Sequence, residues 1–203
     1  MIAIIDYDVG NIKSVCNALD KIGLSWVLTR DPETIKSAKG IILPGVGAFE
    51  DAMQSLIDHH LVTLLQQEIK TGKPFLGICL GMQLLYERSF ENGEFKGLGV
   101  LKGDVVPFQT ELKVPHMGWN ALRINEDFRD HPIVKNTKND DYVYFVHSYY
   151  VDGLEEETIA YCTYDRPFSA LAGRDNLLGM QFHPEKSGDI GLRLLQSFKE
   201  MIS

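Results

Sequence analysis

Two short stretches, far apart in the chain, hold residue types able to do covalent chemistry. The first is "GICLGMQ" (77–83), which sets Cys79 between two glycines after an apolar run. Gly77-Ile78-Cys79-Leu80-Gly81 has the G-x-nucleophile-x-G spacing of a strand–turn–helix elbow. A side chain at the tip of such a turn needs a strained backbone, and flanking glycines let neighbouring chain pass close by. Free N–H groups at a helix start favour a sulfur anion, the nucleophilic form of cysteine. The Leu80 N–H would then be placed to hold a developing oxyanion. Taken alone, the spacing is weak evidence and suits a small buried thiol at a tight corner better.

A thiolate nucleophile needs a base, and the 6 histidines can be sorted by context. His59 and His60 fall in a polar stretch of a helical pattern and read as solvated. His131 precedes a proline in a loop-like region, while His116 ("PHMGWN") and His147 ("YFVHSYY") have more unusual surroundings. His183 stands apart in "GMQFHPEKS", because Glu185 follows two positions later. On an extended segment such residues project to the same side, where a carboxylate can orient an imidazole and stabilise its charged form. That is the logic of a nucleophile–base–orienter triad. The plainer alternative is a histidine satisfied at a strand end, with Glu185 in solvent.

The elements that must position these residues alternate in the first half. "MIAIID" (1–6), "WVLT" (26–29), "GIILPG" (40–45) and "KPFLGI" (73–78) read as strands. Between them Ile12, Val15, Cys16, Leu19 and Ile22 repeat at helical spacing, with Gly23 as a C-terminal stop. Residues 49–70 carry Phe49, Met53, Leu56, Ile57, Leu64 and Ile69 on one helical stripe. This alternation predicts an α/β fold: a mostly parallel central sheet covered by helices on both faces. From about residue 97 shorter β-like pieces add antiparallel strands in the C-terminal half. "FSALAG" and "NLLGMQF" flank Arg174, Asp175 and Asn176 as a hairpin. A last helix would bury Ile190, Leu194, Leu195, Phe198 and Ile202. Cys79 and His183 both follow strands, and in a parallel sheet the carboxyl ends of strands share the edge where sites gather.

Composition narrows the function classes. With 203 residues the chain suffices for one domain, 1–203, with a sizeable core. A formal net charge of -8 argues against general binding to nucleic acid or to anionic membrane. The 3 cysteines are too few for a disulfide framework and fit a reducing compartment. The N-terminus lacks the pattern of a signal peptide, and no apolar run approaches the ~20 residues of a membrane span; the expectation is a soluble, cytoplasmic protein. No C-x-x-C or H-E-x-x-H pairing suggests a metal, and "PGVG" (44–47) lacks the third glycine of a dinucleotide fingerprint, so no cofactor is expected. Cys16 and Cys162 read as core residues.

"PGVGAF", "GICLGMQLL" and "GMQFHPEKS" together resemble the class I (triad) glutamine amidotransferases, whose fold is flavodoxin-like. Within that family, "IIDYDVGNIKSV", "KVPHMGWN" and "YVYFVHSYY" look like the glutaminase subunits of imidazole glycerol phosphate synthases. Asp8 and the Gly188-Asp189 pair depart from that pattern, outside the triad motifs. The resemblance implies Cys79 as nucleophile, His183 as proton shuttle and Glu185 as its orienter. It implies an oxyanion hole from Leu80 and Val46, with Gly45, Gly47, Gln83, Ser148 and Tyr149 around L-glutamine. It also implies a separate cyclase subunit as heterodimer partner, for which Asn11, Met117 and Trp119 are candidate docking residues. Three other readings stay open: an amidotransferase subunit feeding a different synthase, a free-standing cysteine hydrolase, and a non-catalytic binding module.

Overall fold

The computed structural model describes residues 1–202. Its first half runs β1 (Ile2–Ile5), α1 (Ile12–Lys21), β2 (Trp26–Thr29), α2 (Pro32–Ser37), β3 (Ile41–Gly45), α3 (Phe49–Asp58), α4 (Leu61–Lys70), β4 (Phe75–Cys79) and α5 (Leu80–Gln83). Its second half is mostly strand: β5 (Arg88–Ser89), β6 (Phe95–Lys96), β7 (Gly103–Pro107), β8 (His116–Ala121), β9 (Arg123–Ile124), β10 (Tyr142–His147) and β11 (Tyr149–Gly153). Then follow β12 (Thr158–Tyr164), β13 (Arg166–Arg174), β14 (Leu177–Met180) and the closing helix α6 (Gly188–Met201).

An eight-stranded sheet in the order β2-β1-β3-β4-β14-β13-β12-β9 forms the frame. Its strands are parallel from β2 through β14, and β13, β12 and β9 extend it antiparallel. The mostly parallel sheet read from the alternation is present. Side chains along β1 alternate between two cores, as the period of a strand requires. Ile2 and Ile4 pack with Val15, Leu19, Leu194 and Phe198 of α1 and α6. Ala3 and Ile5 face Ala52, Leu56, Leu61 and Leu65 of α3 and α4. Helices therefore cover both faces, which explains why β1 is fully buried and reads as a continuous apolar run.

The stripe over 49–70 is not one helix. The chain breaks after Asp58, where His60 takes a left-handed conformation with φ 57°. The break lets two short helices lay separate apolar faces on the same core, and it leaves Ile57 exposed. It also turns His59 inward: its Nε2 lies 2.7 Å from Asp8 Oδ2, and Arg30 joins the same cluster. His59 is thus paired and half-buried rather than solvated.

Two small sheets stand beside the frame. β10 pairs antiparallel with β8, and β11 joins β7, β5 and β6. The predicted hairpin is β13–β14, where Arg174 pairs with Leu177 across Asp175 (φ 55°) and Asn176.

Candidate active site

Sheet order brings the two motifs together. β4 lies between β3 and β14, with Gly45 opposite Cys79 on one side and Met180 opposite Ile78 on the other. At the carboxyl edge, Cys79 is therefore flanked by the chain leaving β3 and by the segment from Gln181 to His183.

Cys79 has φ 54° and ψ −112°, a conformation costing roughly 1–3 kcal/mol that persists only where the surroundings enforce it. Here the glycines do so. A Cβ on Gly81 would sit 1.9 Å from the Leu43 carbonyl oxygen, and one on Gly77 would meet Gly81 O at 2.5 Å. The turn can fold back on β3 only if both positions lack side chains. The following helix, α5, is a single turn, so its field on the sulfur comes from a few N–H groups rather than a long dipole. On the β3 side, the Tyr7 hydroxyl donates 2.5 Å to the Pro44 carbonyl, and Ser55 Oγ in turn donates to the Tyr7 carbonyl. Burial and the nearby Cys79 push the Tyr7 hydroxyl far above its ordinary range, so it remains a donor.

His183 and Glu185 do meet, but not across an extended segment. His183 caps a 3-10 turn at Pro184–Lys186, and that turn carries Glu185 back so that Nδ1–H donates 2.8 Å to Oε1. Both side chains are nearly sealed, 3% and 1% exposed. The turn is held from β10: His183 N–H donates to Tyr144 O, and Ser187 Oγ accepts from Tyr144 N–H while donating to His183 O. Nε2 of His183 is buried with no formed hydrogen bond. Cys79 is its charge partner, close enough to act on the ring without a bond of good geometry. Burial opposes the charged ring, but Cys79 and Glu185 outweigh it and raise the His183 pKa to about 9. A thiol and an imidazole so arranged can exchange a proton at neutral pH.

A cleft of about 320 Å³ opens over Cys79 and His183. Val46, Gly47, Leu80, Gln83, Ser148 and Tyr149 line it as well, and Gly45 lies buried beneath, where its missing side chain admits Gly81 N at 2.8 Å from the ideal Cβ position. Gln83 is 5% exposed, not a solvated helix residue. Its Nε2 donates to Tyr149 O (3.1 Å) and Gln181 Oε1 (3.0 Å), and Gln181 Nε2 reaches Cys79 Sγ at 3.9 Å. Sequence reasoning missed Gln181, Glu91 and Pro115. Glu91 sits in a polar loop, yet its Oε2 accepts from Phe49 N–H at 2.8 Å and satisfies an orphan donor at the start of α3. His147, singled out without a role, also lines the cleft.

The candidate docking residues lie outside the cleft. Met117 (57% exposed) and Trp119 (54%) project from the outer face of β8, and Asn11 precedes α1 with no capping hydrogen bond from its side chain. Cys16 and Cys162 are buried core thiols. Among the described residues no group of three or more His, Cys, Asp or Glu could hold a metal ion, and no helix is long and apolar enough to cross a membrane.

The family model of the class-I glutamine amidotransferases matches residues 3–200. The chain belongs to this family. The amidotransferase fold is also that of a solved glutamine amidotransferase (TM-score 0.78, 19% identity, 100% of this chain and 99% of that one) and of PurLQS from Thermotoga maritima (TM-score 0.74, 19% identity, 100% and 98%). At higher identity, this amidotransferase is similar to "Imidazole glycerol phosphate synthase subunit HisH" of Oceanobacillus iheyensis, 51% identical over 203 residues that span 100% of both chains. A relative of the same name from Caldanaerobacter subterraneus subsp. tengcongensis is 50% identical over 203 residues, covering 100% and 98%.

Proposed function

We propose that the chain is the glutaminase subunit of an imidazole glycerol phosphate synthase, and that Cys79, His183 and Glu185 are its catalytic triad. The observation that carries this reading is the buried imidazole beside Cys79, oriented by Glu185 at 2.8 Å and facing an open cleft. The likeness to HisH subunits over the whole chain supports the choice of acceptor.

In this mechanism the proton of Cys79 rests on His183 Nε2, and the thiolate attacks the side-chain amide carbon of L-glutamine. The charge that develops on the amide oxygen is held by Leu80 N–H and Val46 N–H. His183 then returns the proton to the departing nitrogen, the C–N bond breaks, ammonia leaves and a glutamyl thioester remains on Cys79. His183 next takes a proton from water, which attacks the thioester and releases glutamate, regenerating the thiolate. Glu185 keeps Nδ1 protonated and Nε2 aimed at sulfur throughout. Gly45 and Gly47 keep the β3 exit narrow, and Gln83, Ser148 and Tyr149 form the wall against the amino-acid part of the substrate.

The ammonia is consumed on a separate cyclase subunit, which would make imidazole glycerol phosphate and aminoimidazole carboxamide ribonucleotide in histidine biosynthesis. Met117, Trp119 and Asn11 are proposed to face that partner in a heterodimer; exposed aromatic and Met side chains are enriched in interfaces. The cytoplasm is the compartment that fits three free thiols. The reading takes all 203 residues as one amidotransferase domain. Gly47, at φ 98° with nothing near its Cβ position, gives the Val46 segment freedom to change conformation when the partner docks.

The test is glutamate release by the purified chain, alone and with the cyclase loaded with its nucleotide substrate. The isolated chain should be slow, and the loaded complex faster by at least ~10²-fold, the worth of one oxyanion donor. A chain equally fast alone, or one that cleaves esters or peptides and ignores glutamine, would overturn the proposal.

A further inference from the structure

His116 and His147 are direct partners across the β8–β10 pair, both nearly sealed, with His116 Nδ1 2.9 Å from His147 Nε2. Neither is used in the mechanism above. Their hydrogen-bond roles can nevertheless be fixed from the two ends. A carbonyl only accepts, so His147 must carry its proton on Nδ1, which lies 2.8 Å from Tyr149 O. The neutral ring then offers Nε2 as an acceptor, and His116 must donate from Nδ1. His116 Nε2 is left as an acceptor, and Asn120 Nδ2 lies 3.2 Å from it. The orientation of that amide is set independently: its Nδ2 also donates to Thr163 O (2.9 Å), and its Oδ1 accepts from Ala121 N–H (2.8 Å). Every donor meets an acceptor only if both rings are neutral and both are Nδ1–H tautomers.

The chain continues into the cleft. Tyr149 O accepts a second hydrogen bond from Gln83, which holds Gln181 beneath Cys79. At its other end it begins on β8, the strand whose outer face exposes Met117 and Trp119. Ring packing fixes the geometry between: His116 stacks on Tyr164 (4.1 Å, 22°) and Phe145 (4.9 Å, 26°), and Phe108 meets His147 edge-on at 5.2 Å.

We propose that Asn120, His116 and His147 form a tautomer-locked chain of positioning residues that fixes the Tyr149 carbonyl and Gln83 in the wall of the glutamine cleft. The proposal rests on the cleft being the glutamine site. It makes His116 a determinant of substrate binding although it does not line the cleft. The environment supports neutrality. His116 and His183 act on His147 by charge, Cys79 and Glu91 line the same cleft, and the described histidine–carboxylate pairs are His59–Asp8 and His183–Glu185. Burial holds His116 down to about 4 and His147 to about 3.

Imidazole ¹⁵N spectra of the full chain test it without reference to activity. From pH ~5.5 to ~8.5 both rings should show a protonated Nδ1 and a bare Nε2, well above their lowered protonation range. An Nε2–H tautomer at either position, or protonation within that range, would overturn the proposal. His116→Phe keeps the stacking area and removes the donor to His147. With the cyclase present it should raise the KM for glutamine ~10-fold, the effect of one lost buried hydrogen bond, while kcat stays within ~3-fold. His147 should keep its Nδ1–H tautomer, held by the Tyr149 carbonyl, while its bare Nε2 loses a donor, read as a change in that nitrogen's ¹⁵N shift. Asn120→Ala, at the half-exposed end, should raise the KM ~3-fold. Folded variants with unchanged KM would make the chain mere core packing and overturn the positioning role. If the wild type hydrolyses no glutamine at all, the functional reading falls, and the tautomer pattern is decided separately by the spectra.

Discussion

The molecule buries two histidine pairs near one cleft, and they behave oppositely. His183 faces a carboxylate and a thiol; despite burial it holds its proton to about pH 9. His147 faces a backbone carbonyl and another imidazole, and burial drives it down to about 3. Desolvation is the first effect on both rings, and it disfavours the cation in both. The difference lies in the partners: Cys79 and the Glu185 carboxylate at 2.8 Å together overcome the desolvation, while a dipole does not. One pair is built to move a proton, the other to keep protons in fixed places.

The sharpest way to break this contrast is to remove each ring. His183→Ala should lower glutamine turnover by ~10³-fold or more, close to the loss from Cys79→Ala, because residues acting as a unit fail together. His116→Phe should leave kcat nearly intact. Comparable kcat losses from the two would erase the distinction between reacting and positioning histidines; steady-state kinetics of the folded variants decides it.

Glu185→Gln addresses the charge itself. It keeps the shape and removes the anion, so His183 should protonate at lower pH and turnover should fall by roughly 10–10²-fold, less than for His183→Ala. The pH–rate profile reads both effects. A larger loss from Glu185→Gln than from His183→Ala would reverse the assigned roles.

Stability against pH separates the pairs again. His183 is raised in the fold, so its contribution is fully present below the unfolded value near 6.5 and is lost as pH rises through about 9. His147 is depressed, so its contribution is present above about 6.5 and is lost as pH falls toward 3. At pH 5 the His147 term alone should cost ~2 kcal/mol of unfolding free energy relative to pH 7. Denaturant midpoints across pH 4–10 should therefore decline on both sides. A curve flat on the acid side would contradict the neutral, buried assignment.

The smallest effect concerns the strand beside the nucleophile. Tyr7→Phe leaves the Pro44 carbonyl without its donor and should cost ~1–3 kcal/mol in stability, read as a lowered Tm. Because Pro44 adjoins the Gly45–Val46 segment, glutaminase activity should fall with it by a few-fold (~1 kcal/mol of positioning).

Much of the frame was legible because its signals are local. Apolar runs at 1–6 and 73–78, the glycines around Cys79 and the spacing in His183-Pro184-Glu185 are short patterns with a direct steric or geometric cause. The pairing of His59 at the helix break was not legible, because it depends on Asp8 and Arg30 arriving from other segments. The same holds inside the cleft. Gln181 is the position next to Phe182 in a strand-like run, and only the sheet order puts it under Cys79. Glu91 reads as a loop carboxylate until Phe49 N–H is placed against it. His116 and His147 looked unusual in sequence, but their hydrogen bond follows from the β8–β10 register, which no local pattern encodes. The 3-10 turn after His183 gave the expected pairing by a different route from the extended segment inferred from sequence.

The most direct test of the triad is mass spectrometry of acid-quenched reactions with glutamine in the presence of the loaded cyclase. All three cysteines are buried, but burial raises Cys16 above the ordinary thiol range and Cys162 to about 12, while Cys79 alone faces the cleft and His183. The account predicts a glutamyl thioester on the peptide containing Cys79, absent from Cys79→Ala and accumulating when hydrolysis is slowed in Glu185→Gln. An active enzyme with no adduct on Cys79, or with one on Cys16 or Cys162, would contradict it.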